Sequence, residues 1–166
     1  VTADTTTVHP TALPNDLPVD RLRRRPAADG SVSVDPASAG WRYLRFRTAE
    51  LGAGATLEFG TLEHEACVVV IGGGGIVVRP VDGDPIELDG RESPFDGLPD
   101  AAYLPLGASR AGERTIRSTV KARPATTDGR VRIALAEAPR ARTSGVVDRP
   151  RAIRPRDIAV EVRGAG

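Results

Sequence analysis

The chain has 166 residues, enough for one domain with a substantial core and too few for two. Hydrophobic residues at 40% and charged residues at 27% argue against wholesale disorder, and no apolar run approaches the length of a membrane-spanning helix. The 23 basic and 22 acidic side chains nearly cancel and aromatics supply only 4%, so neither the charge footprint nor the stacking surface of a nucleic-acid binder is present.

Residues 1–40 form a polar stretch punctuated by Pro10, Pro14 and Pro18, predicted to be an extended N-terminal arm. His9 stands alone there, and a metal site needs more partners than one imidazole, so it is expected to be solvated. The arginines between Arg21 and Arg25 suit a solvated basic turn better than an anion clamp. Trp41 to Thr48 then alternates unevenly between apolar and basic residues, the pattern of a strand with one face partly wet. It opens a β-sandwich predicted over residues 41–140. Leu51 to Ala55 turns the chain, and Thr56 to Phe59 makes a short strand.

The most readable segment runs from Glu65 to Pro80. An apolar run from Ala66 to Ile71 meets four glycines, Gly72 to Gly75, and resumes at Ile76 to Val78. β-Branched residues flanking glycines predict two strands joined by a tight turn, a central antiparallel hairpin whose first strand is covered on both faces. A phosphate-cradling loop is excluded, because Gly75 leads into Ile-Val-Val rather than Lys-Ser/Thr, and a dinucleotide fingerprint would need glycine where Val77 stands. Cys67 is the sole cysteine, which rules out an intrachain disulfide or cysteine metal cage and suits a reducing cytoplasm.

Further strands are predicted at Ile86 to Leu88, Ala101 to Pro105, Thr115 to Val120 and Val131 to Leu135, separated by Gly/Pro/Asp turns. Such spacing with almost no helical period predicts an all-β sandwich or closed barrel. Residues 141–166 lose the core pattern and are expected to be an Arg/Pro-rich linker, with a closing strand at Ile158 to Val162 leading toward further polypeptide.

Two segments resemble the cupin motifs. Glu65, with Gly72 after six intervening residues and Gly54 upstream, looks like the end of the first motif, and Pro105-Leu106-Gly107 looks like part of the second. More specific is the run from Gly90 to Pro105, Gly-Arg-Glu-Ser-Pro-Phe-Asp-Gly-Leu-Pro-Asp-Ala-Ala-Tyr-Leu-Pro. It closely resembles the N-terminal half of the 5-deoxy-glucuronate isomerases, bicupins of myo-inositol catabolism, as do Trp41 to Phe46, Glu65 to Val70 and Val162 to Gly166. The resemblance implies a cupin-like double-stranded β-helix, or jelly-roll sandwich, that is degenerate and metal-free. The histidine positions of the first motif hold Glu58 and Gly60, or Phe59 and Thr61, and that of the second holds Arg110. Glu65 is then a relict cupin glutamate, and His64, one residue away, is expected to face out of the cavity.

The remaining expectations follow from that reading. No catalytic residue and no metal ligand set is predicted here, and no cofactor in this domain; the resemblance implies a zinc-like divalent ion in a C-terminal cupin outside these residues. Arg110 is the candidate for holding a sugar carboxylate, while Arg91 and Glu92 are expected to pin a turn as an ion pair. The expected partners are the chain's own C-terminal half and further copies in a homo-oligomer, with no nucleic acid and no membrane. The implied function is a supporting half of a cytoplasmic aldose–ketose isomerase, inactive alone. The alternative is a stand-alone metal-free sandwich that binds a sugar acid or serves as a scaffold.

Overall fold

A computed structural model describes residues 24–61, 64–81, 83–105, 117–123, 129–139 and 149–160. The short helix α1 (Pro36–Ala39) is capped by Asp35, whose carboxylate accepts from the Ser38 amide at 2.9 Å and is held below the usual carboxylate range by that bond. Apart from a single 3-10 turn at Pro155–Asp157, the rest of the regular structure among the described residues is antiparallel β. One sheet has six strands in the order β1 (Ser33–Val34), β2 (Arg45–Gly52), β9 (Arg130–Pro139), β4 (His64–Gly73), β7 (Ala101–Leu104) and β10 (Arg151–Ile153). The other has four, β3 (Thr56–Gly60), β8 (Arg117–Ala122), β5 (Ile76–Arg79) and β6 (Ile86–Leu88). The all-β, two-sheet sandwich expected from the sequence is the architecture found.

The core lies between the sheets. Val68, Val70, Ile133 and Leu135 point inward from the first, and Ile76, Val78, Leu88 and Val120 from the second. Each is essentially out of solvent, and burying a side chain of this size contributes about 1.5–3 kcal/mol. The alternation along β9 is plain, with Val131, Ile133 and Leu135 buried between more open neighbours.

The glycine cluster works differently from the predicted hairpin. β4 pairs with β7 and β9 in the first sheet, and β5 pairs with β6 and β8 in the second, so the two strands never meet edge to edge. Gly72 to Gly75 instead carry the chain across the sandwich. A register shift between Val70 and Gly72 loosens the ladder, and Gly73 takes φ +91°, a conformation costly for any other residue. Gly73 N then donates to Arg91 O at 2.6 Å, and Arg123 N donates to Gly75 O at 2.8 Å. Glycine permits a hairpin turn and a sheet-to-sheet crossing equally well; the choice comes from which neighbours satisfy the flanking backbone.

β4 is also less covered than expected. Its inward residues Ala66, Val68 and Val70 are buried, while Glu65, Cys67, Val69 and Ile71 on the outer face are half-buried. Burial pushes the Cys67 thiol up from its ordinary value. Less thiolate is present at a given pH, so alkylation by iodoacetamide at pH 8 is expected to run roughly tenfold slower than for an exposed thiol. Unfolding in urea should restore the rate; equal rates in native and unfolded protein would contradict the shift.

Both ends of the described chain contribute to the sheet more than the sequence suggested. Ser33–Val34, within the expected arm, pairs with Arg47 and Phe46 of β2. Arg151–Ile153, within the expected linker, pairs with Tyr103, Ala102 and Ala101 of β7. Strands this short are made by backbone pairing and leave almost no periodic signal. β2 begins at Arg45 rather than at Trp41, and Trp41, Tyr43 and Leu44 precede it exposed. Ile158 to Val160 are not part of a strand, and the rest of the predicted closing strand lies outside the described residues.

Candidate functional site

Strand parity decides which side chains enter the space between the sheets. Leu51 of β2 belongs to the core, and stepping back by twos along the strand puts Ala49, Arg47 and Arg45 on the same face. In β4, stepping back from Val68 passes Ala66 and reaches His64. Glu137 of β9 lies opposite Arg45 in the ladder. At this end the sheets part, leaving a cavity of about 550 Å³ whose lining includes Arg45, Arg47, Glu58, Phe59, His64 and Glu137. Phe59, buried, faces Ser118 of β8, also buried, on the second sheet.

The ion pairs of the described residues include neither Arg45 nor Arg47. The Nε of Arg47 is shut away from water and has no acceptor. A buried donor left unsatisfied costs about 1–3 kcal/mol, more on a charged group, so folding proceeds at the expense of this arginine rather than with its help. The rim mixes two guanidinium groups and an imidazole with the carboxylates of Asp35, Glu58 and Glu137. Among the described residues no three His, Cys, Asp or Glu side chains gather as metal ligands would. The donor set does not fit the divalent ion that the cupin resemblance brings to mind.

Glu65 is on the opposite face. Its neighbour Ala66 points into the core, so Glu65 lies on the outer surface of the six-stranded sheet, where the Tyr103 hydroxyl donates to its Oε2 at 2.8 Å. The expected placement is therefore inverted, with His64 lining the cavity and Glu65 outside it. The apolar run Ala66 to Ile71 fills both parities, and nothing in it says which parity is inward. The signal for Arg45 and Arg47 was stronger: counting back from Leu51 would have found them.

Arg91 does pin a turn, but not through Glu92. Its guanidinium donates to the carbonyls of Ile71 at 3.1 Å and Gly97 at 3.0 Å, fastening the loop before β7 to the crossing. Glu92 is exposed and takes no part. Arg110 and His9 lie outside the described residues. No helix among the described residues is long and apolar enough to cross a membrane, which leaves membrane-spanning strands out of account.

A family model described as the KduI/IolB family matches residues 21–166. The chain belongs to the KduI/IolB family. Among KduI/IolB relatives, the 5-deoxy-glucuronate isomerase of Geobacillus thermodenitrificans (strain NG80-2) is 33% identical over 144 residues, covering 85% of this chain and 46% of the isomerase. The crystal structure of an IolB-like protein from Salmonella typhimurium LT2 superposes with a TM-score of 0.62 at 27% identity, over 81% of this chain and 44% of that one. A cupin protein from Bacteroides fragilis is a looser match, with a TM-score of 0.48 at 15% identity over 84% of this chain and 96% of that one. The resemblance drawn from Gly90 to Pro105 is borne out at the level of the family. The chain spans less than half the length of the isomerase and of the IolB-like protein.

Proposed function

We propose that this chain is the metal-free half of a 5-deoxy-glucuronate isomerase of myo-inositol breakdown in the cytoplasm, and that aldose–ketose isomerisation is performed by a second cupin. The observation that carries this reading is that the chain covers only 46% of the named isomerase, and that no three His, Cys, Asp or Glu side chains among the described residues gather as metal ligands would. Kinship with a named isomerase supplies the reaction, and the share of that relative covered supplies room for a second half. A zinc-like ion in that half would polarise the substrate's oxygens. This chain would contribute support and assembly, through the outer face of the six-stranded sheet, where Val69, Ile71, Ala134 and Ala136 form a half-buried apolar surface. Homo-oligomers built on that face belong to the same proposal.

The purified chain, supplied with zinc and 5-deoxy-glucuronate, is expected to give no isomerisation above the uncatalysed rate, and washed protein is expected to hold metal well below one ion per chain. Turnover at about 1 s⁻¹ or faster, the range of ordinary enzymes, would refute the division of labour.

A further inference from the structure

We propose that this chain pairs with a second copy of itself, the outer face of one six-stranded sheet laid on that of the other about a two-fold axis running across the strands. The inference rests on the assembly part of the proposed function and deepens it by naming the partner; it needs no turnover. The two outer faces of the sandwich differ in kind. Thr48, Ala134, Val69, Ala101 and Ile153 form one row across five strands of the six-stranded sheet, and none of them carries a charge. The matching row outside the four-stranded sheet is Thr56, Lys121, Val77 and Glu87. One side of the sandwich is thus suited to water and the other is apolar, and soluble monomers rarely leave a contiguous apolar face uncovered.

The charges at the two ends of the apolar face select the occupant. At one end stands Glu65, half-buried, with its Oε2 bonded to Tyr103. At the other end Glu50 pairs with Arg130, while the exposed Arg132 enters no hydrogen bond or ion pair among the described residues. The Arg132 Nη2 lies 3.4 Å from where a Cβ on Gly72 would stand, so its guanidinium sits over the same strand, β4, that carries Glu65. Rotation by 180° about an axis crossing β4 midway between Glu65 and Gly72 stacks β4 antiparallel on its counterpart and brings Glu65 of each copy to Arg132 of the other. An axis along β4 would instead set acid over acid and base over base. The face therefore complements itself in one register. Its size suffices: five strands about 4.8 Å apart and the residues from Glu65 to Ile71 at about 3.3 Å each give a footprint of about 550 Å² per copy, so two copies bury about 1,100 Å², just above the roughly 1,000 Å² at which specific interfaces begin.

Sedimentation equilibrium of the chain is the test. A reversible monomer–dimer equilibrium is expected, with a dissociation constant of about 1–50 μM. Val69→Arg, near the axis, should weaken pairing by about tenfold or more, while Val77→Arg, the matched change on the four-stranded sheet, should leave it unchanged. Glu65→Arg and Arg132→Glu should each weaken pairing by about tenfold, and the double exchange Glu65→Arg/Arg132→Glu should recover most of the loss. Circular dichroism and melting temperature of each variant as a dilute monomer separate lost pairing from lost folding. Recovery in the double exchange has no source within one chain, because the two positions lie about 23 Å apart along the sheet. A chain that stays monomeric at about 300 μM, a dimer indifferent to Val69→Arg, or a double exchange that recovers nothing would overturn the proposal. None of these results bears on the division of labour between two cupins, which turnover and metal content decide.

Discussion

Gly90→Ala is expected to cost about 3 kcal/mol or more, enough to remove a large share of a typical folding free energy of about 5–15 kcal/mol. A Cβ at Gly90 would collide with Gly73 O and lie 2.7 Å from the carbonyl carbon of Gly74 and 2.9 Å from Gly75 N. All three are backbone atoms of the crossing, so no side-chain rotation can clear the space. The crossing cannot yield easily either, since Gly73 N and Gly74 N are bonded to Arg91 O and Arg130 O on neighbouring segments. Gly30→Ala should cost less than half as much: it carries a positive-φ penalty at φ +79° that Gly90 does not, but a Cβ there meets nothing within 4 Å. Urea unfolding of both variants checks this. A Gly90→Ala chain within about 1 kcal/mol of the parent would mean that the approach of Gly90 to the crossing does not constrain the fold.

Asp100→Ala is expected to destabilise the chain by about 2–4 kcal/mol. The Asp100 carboxylate is only 7% exposed. Its Oδ2 accepts from the Asp89 amide at 2.8 Å and from Nη1 of Arg154, whose Nη2 donates to Glu87 O at 2.9 Å. One buried acid thus joins the end of β6, the start of β7 and the segment after β10. Truncation strands the Asp89 N–H and leaves Arg154, itself one-third exposed, without its counter-charge. Asp100→Asn keeps an oxygen for Asp89 and should cost less. The exposed pairs of Arg123 with Glu87 and Asp89 are a useful contrast, each worth about 0–1 kcal/mol when broken. In a double-mutant cycle, Asp100→Ala with Arg154→Ala should fall short of additivity by about 1 kcal/mol or more. Additive losses would show that the two side chains are not coupled.

Neither prediction was available from the sequence. Gly90 and Asp100 sit in the stretch that carried the family resemblance, yet their importance lies in what they touch, Gly73 and Arg154, which are 17 and 54 residues away. Arg91 illustrates the same limit. Its structural duty was expected, but its acceptors are the Ile71 and Gly97 carbonyls, and a sequence displays no backbone acceptors.

What the chain announces by itself is its class. β-Branched runs, period-two alternation as in Val131 to Leu135 and turn residues at short intervals are local consequences of how side chains sit on a pleated strand, and they specified an all-β sandwich without any partner in view. Tertiary structure alone decided which sheet each strand joined, that the four glycines cross between sheets, and that His64 rather than Glu65 faces the cavity. The reason is physical. In an apolar run such as Ala66 to Ile71 both faces satisfy the hydrophobic effect equally, so the inward face is chosen by hydrogen-bond register with β7 and β9, and register is a property of two strands, never of one.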